Sequence, residues 1–182
     1  MITSINEFKQ TINEKYVNLW DKESMKDYIQ EVYDILVKSY EKLDGGFLTA
    51  DSPEALMNKC DLIKINKRGG KISAVSCYKV TNFGRKIICG GTDGTDRGKV
   101  DFYSILKEDI SEKHRNAYSE VSGALEYIMK KYGAMPIPNF MVSEIIGKEI
   151  TPDPNGFHYT RNIGNKTITK VLVGNVNNVD NN

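Results

Sequence analysis

The stretch KISAVSCYKVTNFGRKIICGGTDGTDRGKVDFYSILKEDI, residues 71–110, decides the fold. Lys71–Val80 reads as an extended segment, Asn82-Phe83-Gly84 as a turn, and Arg85–Gly91 as a second extended segment. A glycine-rich, basic-tipped loop follows, Gly90-Gly91-Thr92-Asp93-Gly94-Thr95-Asp96-Arg97-Gly98-Lys99. Beyond it Val100, Tyr103, Leu106 and Ile110 recur at helical spacing, which predicts a helix over Lys99–Ile110. A strand, a loop and a helix start leave backbone N–H groups free at the positive end of the helix dipole, an arrangement suited to a phosphate-bearing ligand.

Upstream, Leu62-Ile63-Lys64-Ile65 and Ile72–Val80 flank Arg68-Gly69-Gly70-Lys71, a hairpin signal. With Arg85–Gly91 this makes a three-stranded antiparallel meander. Further back, Ser52-Pro53-Glu54 opens a short helix to about Asn58. Ser24 with Asp27 gives a capping signal, and Met25, Tyr28, Ile29, Val32, Leu36, Tyr40 and Leu43 form one apolar stripe, so residues 24–44 are expected as a helix stopped at Gly45-Gly46. Ser4 with Glu7, then Ile5, Phe8, Ile12, Tyr16 and Leu19, predict another over residues 4–20.

Downstream, Ala117–Ser122 reads as a short strand and Gly123–Tyr132 as a helix stopped by Gly133, a β–α unit that places the strand parallel beside the meander. Met135-Pro136-Ile137-Pro138 cannot continue a helix. A brief helix around Phe140–Ile146 and a hairpin of Phe157–Ile163 with Lys166–Val173 about Gly164-Asn165 complete the chain. The asparagine-rich end buries little, so residues 1–174 are expected as one domain and 175–182 as a flexible tail.

The 182 residues suffice for one domain with its own core. A formal charge of +1, from 25 basic and 24 acidic residues, produces no global field for nucleic acid or an anionic membrane. Neither partner is expected. Cys60, Cys77 and Cys89 lack C-x-x-C spacing and read as reduced core thiols. Met1–Trp20 has neither the apolar run of a signal peptide nor the length of a span, and the expected location is the cytoplasm.

Several familiar sites fail on spacing. A Walker loop needs four residues between its glycines and Ser or Thr after Lys, whereas Gly94 and Gly98 enclose three and Val100 follows Lys99. Cys89 stands where the dinucleotide fingerprint would need its first glycine. Asp93, Asp96 and Asp101 lack EF-hand spacing. The basic run Lys64-Ile65-Asn66-Lys67-Arg68 has no interleaved aromatics to stack RNA bases. His114 and His158, the two histidines, form no triad or zinc pattern. Glu120 on the short strand is either a solvent-facing charge or a cleft carboxylate able to take a proton from an amine, with Ser119 and Ser122 beside it.

Two helices, a meander, a glycine-rich loop, a helix, a strand, a helix and a closing hairpin resemble, over roughly Ser24 to Gly174, the GNAT acyltransferase superfamily. The resemblance implies an α/β (α+β mixed sheet) fold of GNAT-like acyl-CoA N-acyltransferase type, a central antiparallel meander plus one parallel strand. It implies acyl transfer from acetyl-CoA or another acyl-CoA to a small-molecule or protein amine by direct attack, and leaves a homodimer open. Cys89, Gly90 and Gly91 would hold the thioester and Gly94, Thr95, Arg97, Gly98 and Lys99 the pyrophosphate. A base at Glu120 or His158 would deprotonate the acceptor, and a hydroxyl such as that of Tyr127 would protonate the departing thiolate. The sequence departs from the family at two points. The family loop Gln/Arg-x-x-Gly-x-Gly/Ala is absent, and the tyrosine four residues before the helix-ending glycine is replaced, counting from Gly133, by Met129, whose thioether donates no proton. A second reading therefore stands beside the first: a catalytically inactive GNAT-like binding or structural protein, for example of a bacteriophage or mobile element.

Overall fold

Gly69 and Gly70, at φ of 57° and 77°, turn the chain between β2 (Leu62–Arg68) and β3 (Lys71–Val80), a conformation that carries little strain only without a side chain. The structure, a computed structural model, describes residues 16–42 and 48–175. In β3 seven consecutive residues, Ile72–Tyr78, are buried, the signature of a strand covered on both faces. β2 pairs antiparallel with β3 from Leu62 opposite Tyr78 to Arg68 opposite Lys71, with a bulge between Asn66 and Lys67. β4 (Arg85–Thr92) completes the expected meander.

The helix expected over residues 4–20 meets a correction at its described end. Val17–Leu19 forms β1, paired antiparallel with β2 from Val17 opposite Ile65 to Leu19 opposite Ile63; residues 4–15 lie outside the described residues. The edge of β2 supplies backbone partners that a reading of local periodicity does not see. The helix expected over 24–44 is two helices, α1 (Lys22–Lys26) and α2 (Ile29–Glu41). Asp21 caps α1 by accepting from the Ser24 amide at 2.8 Å and the Ser24 hydroxyl at 2.7 Å, and the Tyr28 amide turns back to the Met25 carbonyl at 3.0 Å. The apolar stripe survives the break, with Met25, Val32 and Leu36 fully buried. α3 (Pro53–Lys59) starts as its sequence predicts, the Ser52 hydroxyl accepting from the Ala55 amide.

The chain divides into two compact units, one running to Tyr78 and including Cys89–Ile105, the other formed by Lys79–Ile88 and the chain from Leu106. The first has strand order β1-β2-β3-β4. Its core includes Val32, Leu36, Leu56, Leu62, Ile63, Ile65 and Val75. Arg68 forms a bidentate pair at 2.6 Å with the buried carboxylate of Asp101, which also accepts from the Ser73 hydroxyl at 2.7 Å. Cys60, Cys77 and Cys89 are free and buried. Hydrogen bonds from Cys60 and Cys89, followed by burial, push the Cys77 thiol well above its usual range, where it is inert.

In the second unit the order is β4-β5-β9-β8-β7, from β5 (Ala117–Val121), β7 (Thr151–Pro152), β8 (His158–Ile163) and β9 (Lys166–Gly174), with β6 (Met135–Pro136) beside β9. β1–β2, β2–β3, β5–β9, β6–β9, β7–β8 and β8–β9 pair antiparallel, and β4–β5 pairs parallel. This is the expected mixed sheet, a meander plus one parallel strand. α4 (Asp96–Ser111) leads toward β5, and α5 (Ala124–Lys131) and α6 (Asn139–Ile146) follow it. Tyr118, Ile137, Val142, Tyr159 and Leu172 make the local core. No helix among the described residues is long and apolar enough to cross a membrane.

The expected tail meets a second correction, because Asn175 is 6 % exposed. Its Oδ1 accepts from the Ala117 amide, and its Nδ2 donates to the carbonyls of Asp109, Ile110, Glu112 and Arg115 at 3.1–3.2 Å. One amide thus closes the end of α4, whose last carbonyls lack helical partners. Residues 176–182 lie outside the described residues.

Candidate active site

The parallel ladder between β4 and β5 is two pairs long: Arg85 opposite Ala117 and Lys86 opposite Tyr118. Beyond it the Ser119 hydroxyl donates to the Ile87 carbonyl at 3.1 Å. β5 meanwhile stays paired with β9 as far as Val121. β5 is thus paired at four positions with β9 and at two with β4.

In the first unit the loop after β4 is folded on itself. The Asp93 amide donates to the Ser73 carbonyl at 2.9 Å, and Asp93 Oδ1 accepts from the Thr95 amide and hydroxyl at 2.9 and 2.6 Å. The Thr92 hydroxyl takes the Gly94 amide, and the Thr95 hydroxyl caps α4 through the Gly98 amide at 2.9 Å. Asp96 and Arg97 are the first-turn amides without a side-chain cap among the described residues. The Asp93 carboxylate is committed to the loop, whereas Arg97 and Lys99 are exposed and Lys42 Nζ lies 3.6 Å from where a Gly94 Cβ would stand. These cations and two helix-start amides fit a phosphate group.

The glycines of this region are explained by packing. A Cβ on Gly98 would stand 2.7 Å from the Ser73 carbonyl oxygen and closer still to Asp93 Oδ1, so Gly98→Ala must open the loop. We expect a loss of about 2 kcal/mol in urea unfolding, and an unchanged midpoint would contradict this packing. Gly90 and Gly91 are likewise hemmed in, by the Phe102 ring and by the Ser39 hydroxyl. That hydroxyl exchanges hydrogen bonds with both the amide and carbonyl of Thr92 at 3.0 Å, fixing the end of β4. Tyr40, one residue on, lies against Gly90 and Cys89. Burial, with Cys89 beside it, raises its phenol far above the usual range, so it stays protonated. Sequence reasoning missed Tyr40 because its place in the α2 apolar stripe reads as core.

In the second unit Glu120 is not a free carboxylate. Its Oε2 accepts from Lys86 Nζ at 2.6 Å and from Arg161 Nη1, and its Oε1 from the Tyr159 hydroxyl at 3.0 Å. Burial pushes its pKa up, but the charges and hydrogen bonds of Lys86 and Arg161 outweigh that and hold it down to about 2. Such a carboxylate is a weak proton acceptor near neutral pH. The Tyr159 phenol goes the other way, raised by burial and by the Glu120 charge.

The sequence candidates separate in space. His158 is opposite Val171, which is opposite Val121, so it shares a sheet face with Ser119, two residues along β5. Glu120, Tyr159 and Arg161 occupy the other face. Tyr127 on α5 is 70 % exposed, and Met129, in the family's tyrosine place, is fully buried.

No protein-family model and no curated protein matches the chain. Solved structures do. An N-acetyltransferase from Staphylococcus aureus Mu50 superposes with a TM-score of 0.57 at 7% identity over 88% of this chain and 95% of its own. The ribosomal-protein-S18-alanine N-acetyltransferase from Escherichia coli gives 0.53 at 10% identity, over 87% and 92%. At such identity the backbone path carries the likeness: the chain has the GNAT N-acetyltransferase fold.

Proposed function

We propose that the protein binds an acyl-CoA and passes the acyl group to an amine. The observation that supports this most is the two-pair parallel β4–β5 ladder, half the length of the four-pair β5–β9 ladder. When bound, the thioester supplies an acyl carbon open to attack by nitrogen, and the amine takes the acyl group as the carbon–sulfur bond breaks. Arg97 and Lys99, with Lys42, would neutralise the phosphates, and the Asp96 and Arg97 amides would hydrogen-bond them. Backbone amides at Cys89–Gly91 would hold the thioester carbonyl. His158, on the Ser119 face and with no salt bridge among the described residues, would take the acceptor's proton. Tyr40, which lies against Gly90 and stays protonated, would be a candidate beside Tyr127 to supply a proton to the thiolate.

A second reading, binding without turnover, is favoured by the ion-paired state of Glu120 and by the self-bonded loop. Thermal unfolding with coenzyme A, followed by assay of thiol release from acetyl-CoA across a panel of amines, separates these. At 100 times its dissociation constant the ligand should stabilise by about 2.7 kcal/mol, roughly 5–10 °C for a chain of this length. A shift with thiol release that His158→Ala suppresses supports the enzyme. A shift without release supports the second reading, and none at millimolar ligand overturns both.

A further inference from the structure

Four neighbouring strands of the second unit bring three cations to one carboxylate. Lys86 stands on β4, Glu120 on β5, Lys170 on β9 and Arg161 on β8. Glu120 faces Leu172 across the β5–β9 ladder, which puts Lys170, two residues along, on its diagonal. Lys170 is opposite Tyr159, whose hydroxyl donates to Glu120, and is diagonal to Arg161. The side chains of Lys86, Arg161 and Glu120 are 17 %, 16 % and 6 % exposed.

We infer that Lys86, Arg161 and Lys170, gathered around Glu120, form a binding site for a small oxyanion, a carboxylate or phosphate group. A purely structural ion pair would need one cation. Here three cations against one carboxylate leave a formal +2, in a chain whose whole charge is +1, so composition does not account for the excess. Among the described residues no carboxylate forms an ion pair with Lys170. Burial lowers its ammonium pKa; attraction by Glu120 opposes this, and repulsion from Arg161 and Lys86 adds to it. An oxyanion between Arg161 and Lys170 would relieve that repulsion, and a guanidinium fork suits two oxygens. In the acyltransferase reading the anion belongs to the amine acceptor, an identification that rests on that reading, whereas the site itself does not.

The test is titration with inorganic phosphate and, separately, malonate at constant ionic strength, followed by calorimetry. Saturable binding by either is expected, and the tighter probe identifies the group as phosphate or carboxylate. Lys170→Gln should weaken it by about tenfold, the loss of one charged contact, Lys170→Arg should keep it, and Lys130→Gln on α5 should not change it. Because its ammonium is half-buried beside two other cations and makes no direct ion pair among the described residues, Lys170→Gln should unfold no earlier than the parent, which separates binding from folding. Absence of saturable binding by both probes, or equal affinity in Lys170→Gln, overturns the site. Neither probe contains coenzyme A, so failure of coenzyme A to bind would sink the proposed function and leave this site standing, and the converse holds.

Discussion

Glu120→Gln is expected to destabilise the protein by about 3 kcal/mol at pH 7, the equivalent of a carboxyl pKa lowered from 4.5 to about 2. The sign follows from that direction. A carboxylate depressed on folding contributes its stability above its unfolded pKa and loses it as pH falls through the folded value. Parent and variant should therefore differ by a constant amount above pH 5, converge between pH 4.5 and 2, and unfold alike below that. Seen from the partners, this same cost is that of leaving Lys86 and Arg161, both largely buried, without their counter-charge. Urea unfolding across this pH range is the measurement, and equal midpoints at pH 7 would show that the three groups do not depend on one another.

Asn175→Ala should cost about 3 kcal/mol, lowering the thermal midpoint by roughly 6–12 °C. The substitution removes the acceptor of a buried amide, Ala117, at the start of β5. It also removes the donor shared by four carbonyls around the end of α4. Unsatisfied buried groups lose far more than the net worth of a hydrogen bond, because water cannot replace the partner. Asn175→Asp keeps the acceptor alone and should fall between the two. A midpoint for the alanine variant within a degree or two of the parent would mean that these groups find other partners.

The fold was legible where local pattern and tertiary structure agree. The Gly69-Gly70 pair, the Ser52 cap and the strand-to-helix switch at residues 85–111 mark real boundaries because each reflects a backbone requirement within a few residues. Val17–Leu19 was not legible, since its conformation depends on β2, more than forty residues away. Nor was Asn175, which looks in sequence like the first residue of a polar tail and is held by groups some sixty residues upstream. The candidate site divides in the same manner. The loop's position could be read, but the commitment of Asp93 and Thr95 to its own amides could not. Glu120 could be singled out as a notable carboxylate, while its three hydrogen-bond partners come from strands distant in sequence. Alternation along β8 explains why neighbours such as His158 and Tyr159 serve opposite faces.

The most direct test is an amide NMR titration of the full chain with coenzyme A. Saturable shifts are predicted in two groups, at Asp96 and Arg97 where α4 begins and at Ile87–Gly91 in β4. No shifts at millimolar ligand, or shifts confined to other parts of the chain, would contradict the account.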